Sequence, residues 1–298
     1  MAGCHGDGSN YQRLARSHPC LGAGPNHFGR IHLPVSPGCN IGCRFCERSV
    51  NHYEDRPGVT GKVIHPADSI AVLEKAMELC PDITVAGIAG PGDTLATPYA
   101  LETFRIIDRE YPELIKCMST NGLLLEEKAE EILEVGVDSL TVTVNAVDPE
   151  IEAKLNKFIL CHGKRYEGVE AAEILIRNQL NGIRRIAEAG TTVIKINTVL
   201  VPGINDQHIA EIAKTVAELG ANIYNIIPLI PQHELSEVPA PTCEQIDAAR
   251  KAAEPYLDVF RHCAHCRADA VGVPGKSDYH RQIYGSAVLS GKEPFSHG

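Results

Sequence analysis

The chain has 298 residues, of which 44% are hydrophobic and 22% charged, and its formal net charge is −10. This composition is typical of a soluble globular protein and excludes a disordered chain, a collagen-like repeat and a coiled coil. An acidic chain without a local basic stripe is not expected to bind nucleic acid. No apolar run approaches the roughly 18 residues of a membrane span, and residues 1–10 lack signal-peptide features. We therefore expect a cytoplasmic protein without membrane contact.

The first 30 residues are rich in Gly, His, Asn and Pro without a period, which predicts an irregular extension that is loose unless something holds it. From residue 31, strand-like segments rich in Ile, Val and Thr alternate with helix-like segments. The predicted strands cover residues 31–36, 83–88, 114–119, 139–145, 192–200 and 223–229. The predicted helices begin near residue 66 and cover 126–135, 169–189, 206–219 and 242–253. The tail after Arg261 has no clear period and is expected to be a lid or wrap.

Six strands, each followed by a helix, predict parallel pairing with right-handed crossovers in an α/β chain. Because a standard barrel has eight strands, we expect a partial, open (β/α)6 barrel, with a flat doubly wound sheet as the second possibility. We divide the chain into an N-terminal extension (1–30), a barrel core (31–255) and a C-terminal extension (256–298). Both extensions are expected to cover the barrel mouth.

The strand faces indicate what the barrel lumen contains. Side chains alternate along a strand, and the helices need the apolar face formed by Leu140, Val142 and Val144. Thr141, Thr143 and Asn145 should then point into the lumen. The same rule places in the lumen His32, Pro34, Ser36, Ile115, Cys117, Ser119, Lys195 and Asn197. Such a polar lumen predicts a polar or metallic occupant, and barrel enzymes place their sites at the C-terminal ends of the strands.

A C-x3-C-x2-C motif, formed by Cys39, Cys43 and Cys46, directly follows the first predicted strand. The chain has 11 cysteines and no export signal, which makes a disulfide framework a weak interpretation. Three thiolates on one loop can hold three corners of a 4Fe–4S cubane and leave one iron open. A zinc site is the alternative, but a closed structural zinc site takes four ligands. Cysteines without local partners are predicted to be small apolar residues, namely Cys4, Cys80, Cys161 and Cys243.

This motif after the first strand of a partial barrel resembles the radical S-adenosylmethionine (SAM) superfamily. The resemblance implies that the open iron chelates the amine and carboxylate of SAM, and that reduction cleaves SAM to a 5′-deoxyadenosyl radical. It also implies SAM binding by the glycine-rich segment after strand two and by the ends of strands three and four. The residues concerned are Gly90, Gly92, Asp93, Ser119, Asn121 and Asn145. An ordinary turn and strand-end capping are the alternatives for these positions.

Further motifs resemble the NifB family of nitrogenase cofactor maturases. These motifs are His18-Pro-Cys20, Arg30-Ile-His32-Leu-Pro-Val35, Arg56-Pro-Gly-Val59, Ser119-Thr-Asn-Gly122 and Cys263-Ala-His-Cys266-Arg-Ala-Asp-Ala-Val-Gly272. The resemblance runs from about residue 18 to residue 275, and the last motif is the most specific. Because the chain stops at residue 298, it resembles the stand-alone form without the C-terminal NifX-like carrier domain.

The resemblance implies a radical SAM enzyme that fuses two 4Fe–4S clusters into an eight-iron, carbide-centred precursor of the nitrogenase cofactor. SAM would be both the methyl donor and the radical source. Three 4Fe–4S clusters are implied: one on the C-x3-C-x2-C motif, one on Cys20, Cys263 and Cys266, and one on His32 and Cys117. The implied partners are an iron–sulfur cluster donor, carrier or scaffold proteins of nitrogenase assembly, and a reductant such as ferredoxin or flavodoxin.

The chain departs from the family pattern at one point. The family usually has a further Cys between the motif and Arg56, whereas residues 47–55 contain no thiol here. Either His52 substitutes, or a remote residue such as Cys4 supplies the ligand, or the His32 and Cys117 cluster has an open iron. Glu54 and Arg56 are the candidate catalytic residues, because Glu54 matches an acidic family position near the reacting methyl group. A solvated surface charge is the alternative for Glu54.

Two other function classes remain open at this stage. A radical SAM enzyme that modifies a peptide or small molecule would use auxiliary clusters for electron transfer only. The aromatic content of 5% and the absence of Trp disfavour the apolar pocket that such a substrate needs. A non-enzymatic iron–sulfur carrier would need neither a barrel lumen nor a SAM segment. For Cys263 and Cys266 alone, a zinc half-site or a redox pair is the alternative.

Overall fold

The structure is a computed structural model that describes residues 8–22 and 27–285. Its helices are α1 (Gly8–Ala15), α2 (Ser69–Leu79), α3 (Tyr99–Glu110), α4 (Leu125–Glu134), α5 (Pro149–Leu155), α6 (Gly168–Ala189), α7 (Ile209–Glu218), α8 (Cys243–Ala253) and α9 (His280–Tyr284). Its strands are β1 (Gly29–His32), β2 (Ile41–Cys43), β3 (Ser49–Val50), β4 (Val59–Thr60), β5 (Ile83–Ile88), β6 (Ile115–Thr120), β7 (Ser139–Thr143), β8 (Asn156–Cys161), β9 (Lys164–Glu167), β10 (Val193–Leu200), β11 (Ile223–Pro228), β12 (Asp258–Phe260) and β13 (Val271–Gly272). None of the helices among these residues is long and apolar enough to cross a membrane.

The main sheet confirms the expected partial barrel. Its eight strands have the order β12-β11-β10-β7-β6-β5-β1-β13. The strands from β1 to β12 pair in parallel and follow one another in chain order, without the reversal that defines a doubly wound sheet. Only β13 is antiparallel, at the edge beside β1. The six predicted strands all lie in this sheet, and the two short edge strands β12 and β13 extend it.

The predicted alternation along the strands is also confirmed. Leu140 and Val142 of β7 are fully buried in the main core, where they pack with Met118 of β6 and with the surrounding helices. Thr143 and Cys117, on the opposite face of these strands, are half-buried. Each buried aliphatic side chain of this kind contributes about 1.5–3 kcal/mol to folding. The apolar face of these strands therefore packs against the helices, and the polar face lines the lumen.

The longest helix, α6, forms where the spacing of apolar residues predicts it. Ala171, Leu175, Ile183 and Ile186 are buried on one stripe, with the spacing of an amphipathic helix. The helix ends before Gly190, whose φ of 69° is the left-handed conformation that glycine adopts without strain. This stripe packs against α4 and α5 on the outside of the sheet.

The described part of the N-terminal extension contains a helix and packs at the starts of the barrel strands. Residues 8–15 form the helix α1, and Leu14 and Leu21 pack against Val193 and Ile223. These two residues begin β10 and β11, so the extension closes the N-terminal end of the barrel, opposite the cysteine motif. The physical reason is that the strand starts carry apolar side chains that an amphipathic segment can cover. Residues 1–7 and 23–26 lie outside the described parts of the chain.

The C-terminal extension crosses the open side of the partial barrel. It leaves the edge strand β12 and returns as β13, which pairs with β1 through Arg30↔Gly272 and Ile31↔Val271. Between these strands, the Ala268 amide donates to the Val59 carbonyl at 2.9 Å. The tail is thus the wrap that the sequence predicts. The part of this extension after residue 285 is not described.

A second, three-stranded sheet of order β2-β8-β9 was not anticipated from the sequence. The hairpin of β8 and β9 pairs through Ile159 with Ile41, next to Cys43. Cys161 is buried in the small core beneath this sheet, and Cys80 is buried in the main core, as expected for small apolar residues. Cys243 is instead exposed at the start of α8.

Candidate functional site

The C-x3-C-x2-C motif forms a compact loop above β1. The pairing of β2 with β8 and the hydrogen bond from the Leu160 amide to the Asn40 carbonyl, at 2.7 Å, fix the loop. Burial raises the pKa of Cys39 to about 12. Burial also raises the pKa of Cys43 well above its ordinary value, and the neighbouring Cys46 and Cys39 thiols raise it further. The three thiols therefore lie close enough to affect one another's ionisation.

This donor set fits an iron–sulfur cluster better than a single metal ion. Across residues 8–22 and 27–285, no group of three His, Cys, Asp or Glu side chains is arranged to hold one ion. A cubane does not need that arrangement, because each thiolate binds a separate iron. Buried thiols with raised pKa values are protonated until a metal replaces their protons. The residues present therefore fit a 4Fe–4S cluster with three protein ligands.

The glycine-rich segment after β5 packs directly on the loop that leads to Cys39. The Gly92 amide donates to the Ser36 carbonyl at 2.6 Å, and the Asp93 amide donates to the Gly38 carbonyl at 2.8 Å. A Cβ atom on Gly92 would lie only 1.9 Å from the Gly38 carbonyl oxygen. Glycine is required here for close approach of the two backbones. The segment and the cysteine loop are therefore one rigid unit.

Asp93 connects the end of β5 to the end of β6. Its buried carboxylate accepts hydrogen bonds from the Asn121 amide at 2.6 Å, the Leu95 amide at 2.9 Å and the Thr120 hydroxyl. Burial raises the pKa of Asp93, and these donors act in the opposite direction. Because protein donors already engage both oxygens, the carboxylate positions the surrounding loops.

The strand-end residues also make capping contacts. Asn121 donates through Nδ2 to Asn40 Oδ1 at 2.7 Å, and Asn145 Oδ1 accepts from the Val199 amide at 3.0 Å. Ser119 is half-buried on the lumen face of β6. Asn40, inside the cysteine motif, was missed by the sequence reasoning. Its Nδ2 is buried and has no hydrogen-bond partner within the described chain. Its position between two cysteines of the motif could have identified it as a candidate site residue.

Glu152 is a second residue that the sequence did not single out. It is buried on α5, and burial raises its pKa from 4.5 to about 7. Asn156 donates to one carboxylate oxygen, whereas the other is buried without a partner in the described residues. Its negative charge raises the pKa of Cys43. A glutamate in the first turn of a short helix is ordinarily exposed, so its sequence context did not predict that Glu152 is buried.

Cys20, Cys263 and Cys266 come together although they lie far apart in the sequence. Burial raises the pKa of Cys20, and the Cys266 and Cys263 thiols both raise it further. Cys20 follows α1, whereas the other two lie on the tail that crosses from β12 to β13. Arg30 Nη2 donates to Cys266 Sγ at 3.0 Å. Three thiols and one guanidinium therefore share one region of the lower lumen.

His32 and Cys117 lie in one row across the sheet. His32 pairs with Gly87 of β5, and Gly87 pairs with Cys117 of β6. The His32 Nδ1 atom lies 3.0 Å from the Arg267 carbonyl; since a carbonyl only accepts, Nδ1 carries the proton and Nε2 keeps its lone pair. Burial lowers the pKa of His32 to about 4 and raises that of Cys117 to about 12. Both groups are thus neutral without iron.

His52 does not contact His32 or Cys117 in the structure. Its ring stacks on His280, with 5.7 Å between centroids and 20° between planes. Both of its ring nitrogens are buried without hydrogen-bond partners in the part of the chain that is described. Arg267 Nη2 donates to the carbonyl of the preceding Asn51 at 2.7 Å. The loop that carries His52 and the ring of His32 are therefore both hydrogen-bonded to Arg267. Cys4 lies outside the described residues.

Glu54 and Arg56 form an ion pair beside the cysteine loop. Arg56 Nη2 lies 3.0 Å from Glu54 Oε1, and Asn51 donates to the other carboxylate oxygen. Burial would raise the pKa of Glu54, but the hydrogen bonds from Asn51 and Arg56 lower it overall. Arg56 also lowers the pKa of Cys46 against the effect of desolvation. Glu54 is therefore an anion held next to the motif.

Comparison with known proteins shows the family to which the chain belongs. The Radical SAM superfamily model matches residues 33–216. The FeMo cofactor biosynthesis protein NifB of Methanocaldococcus infernus is 45% identical over 279 residues, which cover 93% of this chain and 92% of that protein. NifB of Methanocaldococcus jannaschii is 44% identical, with 89% coverage of each. NifB of Klebsiella pneumoniae is 41% identical, and the match covers 88% of this chain but 58% of that protein.

Solved structures share the fold at low sequence identity. A radical SAM methyltransferase from Sphaerobacter thermophilus aligns with a TM-score of 0.57 at 20% identity, over 77% of this chain and 65% of that one. SuiB of Streptococcus suis, bound to S-adenosylmethionine, aligns with a TM-score of 0.55 at 14% identity, over 84% and 53%. These likenesses concern the fold alone. The sequence relatives and the superfamily match identify the chain as a member of the NifB family, a radical SAM enzyme of FeMo cofactor biosynthesis whose cofactors include a 4Fe–4S cluster and SAM.

Proposed function

We propose that this enzyme fuses two 4Fe–4S clusters, bound as substrates in the barrel lumen, into an eight-iron, carbide-centred precursor of the nitrogenase cofactor. SAM would supply the methyl carbon and, in a second molecule, the radical. One observation carries the proposal: the thiols of two separate donor sets, Cys20 and Cys117, lie close enough across the lumen that Cys20 raises the pKa of Cys117. Two substrate clusters held at these positions would be neighbours.

The cofactor cluster would be held by Cys39, Cys43 and Cys46. When bound, it supplies the electron that cleaves SAM. The chain positions this site from two sides, because β8 fixes the cysteine loop and the segment at Gly92 is bonded to the loop before it. Ser119, Asn121, Asn145 and the unpaired Nδ2 of Asn40 are the side chains we assign to SAM contacts.

The first substrate cluster would bind to Cys20, Cys263 and Cys266. The closed lower end of the barrel supports this assignment, because Cys263 packs with the apolar group that includes Leu14 and Leu21. The N-terminal extension thus brings Cys20 to the tail rather than leaving it in solvent. Three thiolates would again leave one iron without a protein ligand.

The second substrate cluster would bind to His32 and Cys117, with His52 as its third ligand. The free Nε2 of His32 suits iron, because the Arg267 carbonyl fixes the opposite nitrogen. His52 has two buried ring nitrogens without partners among the described residues, and its loop is bonded to the same Arg267. A histidine nitrogen would replace the thiolate that many relatives carry in this segment.

Glu54 and Arg56 would serve the carbon chemistry next to the cysteine loop. Conversion of a methyl group to a carbide would require the removal of its three hydrogens, one as an atom taken by the 5′-deoxyadenosyl radical and the others as protons. Glu54 is the anion closest in sequence to the motif whose pKa is lowered by a fixed partner, so we assign it as a proton acceptor. Arg56 positions it through their ion pair. The proposed partners are a cluster donor, a carrier or scaffold of nitrogenase assembly, and a ferredoxin or flavodoxin.

Anaerobic reconstitution tests the proposal. Three cubanes predict about twelve irons per chain, and added SAM should yield both S-adenosylhomocysteine and 5′-deoxyadenosine. The double variant Cys263→Ala and Cys266→Ala should retain about eight irons and still cleave SAM. Cys243→Ala, at an exposed position on α8, is the control and should keep the full iron content. Saturation at about four irons, or formation of 5′-deoxyadenosine alone, would contradict the proposal.

A further inference from the structure

Two cations are buried in the lumen without a carboxylate partner. The exposed fraction is 5% for Lys195 and 7% for Arg30. No acidic side chain within residues 8–22 and 27–285 forms an ion pair with either. Elsewhere the chain pairs its buried cations, as with Lys116 and Asp108 on the outer face of β6. Because burial of an uncompensated charge is costly, the lumen is built for an anionic occupant.

Lys195 lies beside Cys20, one of the thiols assigned to the first substrate cluster. Its Nζ donates to the Cys20 carbonyl at 3.2 Å and lies 4.0 Å from the centre of the Phe260 ring. An ammonium group has three N–H donors, so further donors remain for an occupant. Its charge lowers the pKa of both Cys20 and Cys117 against the larger effect of burial. One cation thus acts on both sites.

Arg30 lies on β1 and contacts the donor set of Cys20, Cys263 and Cys266. Its Nη1 donates to the Gly272 carbonyl at 2.7 Å, which fixes the guanidinium, and its Nη2 donates to Cys266 Sγ at 3.0 Å. Among its remaining N–H donors, the one on Nε is buried and has no partner in the described structure. An N–H group directed at a thiolate sulfur stabilises the charged form of that ligand.

His18 supplies a neutral donor rather than a metal ligand. It is 3% exposed, and its Nδ1 accepts a hydrogen bond from the Cys20 amide at 3.0 Å. A ring nitrogen that accepts a hydrogen bond carries no proton, so the His18 ring is neutral. A neutral ring that accepts at Nδ1 carries its proton on Nε2, and this Nε2 is buried without a partner among the described residues. His32 has the opposite tautomer, with Nε2 free to bind iron.

We propose that the cationic lining of the lumen, Lys195 and Arg30, together with the neutral donor His18, holds the anionic iron–sulfur cluster on Cys20, Cys263 and Cys266 by charge and N–H donation. The inference rests on the proposed function and extends it. A cubane with three thiolates is an anion, and its charge is costly in a lumen of low dielectric constant unless cations offset it. Lys195 and Arg30 supply the offsetting charge beside Cys20 and Cys266. These three are positioning residues.

The test measures the reduction potential of the auxiliary clusters in the full-length chain. The triple variant Cys39→Ala, Cys43→Ala and Cys46→Ala provides the background, so that the cofactor cluster does not contribute to the EPR signal. In this background Lys195→Met should lower the equilibrium constant for one-electron reduction at least tenfold, which is about 59 mV. Lys195→Arg should restore the charge and most of the potential. Lys116→Met removes the same charge on the outer face of β6 and should leave the potential unchanged.

A second variant pair tests the donor role of His18. His18→Leu should lower the potential, or reduce the iron content selectively, whereas His18→Gln can still accept from the Cys20 amide and donate to an occupant. Unchanged potentials in both Lys195→Met and His18→Leu, at full auxiliary iron content, would overturn the cationic lining while leaving the proposed function intact. Reconstitution of the unmodified chain with only about four irons would instead contradict the proposed function and the lining together.

Discussion

Gly87 lies between His32 and Cys117 in the sheet and has no side chain. The three residues are in register on β1, β5 and β6, and a Cβ atom built on Gly87 would lie 2.9 Å from His32 Cδ2. The imidazole therefore occupies the space above the glycine. This space allows the ring to reach the Arg267 carbonyl at 3.0 Å through Nδ1 and to keep Nε2 available for iron.

Gly87→Ala should disturb this arrangement without a large effect on the fold. The added methyl group would push the His32 ring away from the Arg267 carbonyl, and overpacking of this kind costs about 1–3 kcal/mol. We expect the loss of about four irons, one cubane, and of any nitrogen coupling in the EPR spectrum. The control is Gly203→Ala, where a Cβ would meet no atom within 4 Å and only the φ of 77° strains the backbone; this variant should lose some stability and keep its iron. Retention of a nitrogen-coupled cluster in Gly87→Ala would contradict the assignment of His32.

Gly92→Ala should separate SAM binding from cluster assembly. The added Cβ would lie 1.9 Å from the Gly38 carbonyl oxygen, and no flexible side chain can move to relieve this contact. The two backbone segments must therefore part. We expect at least a tenfold loss of SAM affinity, about 1.4 kcal/mol, measured by equilibrium dialysis with the reconstituted protein. Gly163→Ala, on the β8–β9 turn, is the control, because its Cβ would meet no atom within 4 Å and only the φ of 72° strains the backbone. Equal loss of SAM affinity in both variants would contradict the prediction.

The sequence was sufficient for the elements that depend on local periodicity. The spacing predicted a helix over 169–189, and the structure has it at Gly168–Ala189. The alternation along 139–145 identified the lumen face of β7, because its buried residues must meet helices that the same sequence predicts. The three thiols of the motif could also be grouped, since they lie within one loop.

Features that depend on distant contacts could not be predicted in this way. The hairpin of β8 and β9 carries Lys157, Lys164 and Arg165 at exposed positions, so it lacks the apolar alternation of a strand and forms by pairing with β2. The position of the N-terminal extension depends on apolar side chains at the starts of β10 and β11, which its own sequence does not encode. Glu152 became a candidate only when its burial was seen.

Glu152 should make the stability of the unloaded protein depend on pH. Its pKa rises from 4.5 to about 7 in the folded chain, so the folded state holds the proton more tightly than the unfolded state. The stabilisation is complete below about pH 4.5 and is lost as the pH rises through 7. Glu152→Gln should therefore match the wild-type protein near pH 4.5 and exceed its unfolding free energy by about 3 kcal/mol at pH 8. Urea denaturation across this range, with the exposed Glu150→Gln as control, measures the difference; a difference independent of pH would contradict it.

Arg267 connects the tail to both of the histidines assigned to the second substrate cluster. Its guanidinium forms a bidentate ion pair with Asp269, at 2.8 and 3.1 Å, and the two side chains are 3% and 0% exposed. Arg267→Leu leaves the Asp269 carboxylate buried without its counter-ion, which should cost about 3–5 kcal/mol of unfolding free energy. In Arg267→Leu with Asp269→Leu the loss should be smaller than the sum of the two single losses, because both charges are absent.

Iron binding should not recover with stability in that double variant. Arg267 also donates to the Asn51 carbonyl at 2.7 Å, and this contact fixes the loop that carries His52. Leucine at position 267 cannot replace it, so the double variant should regain stability and still lack about four irons. Urea denaturation and iron analysis on the same samples separate the two effects. If iron content followed stability in all three variants, Arg267 would act on the fold alone, and the shared anchoring of His32 and His52 would have no part in cluster binding.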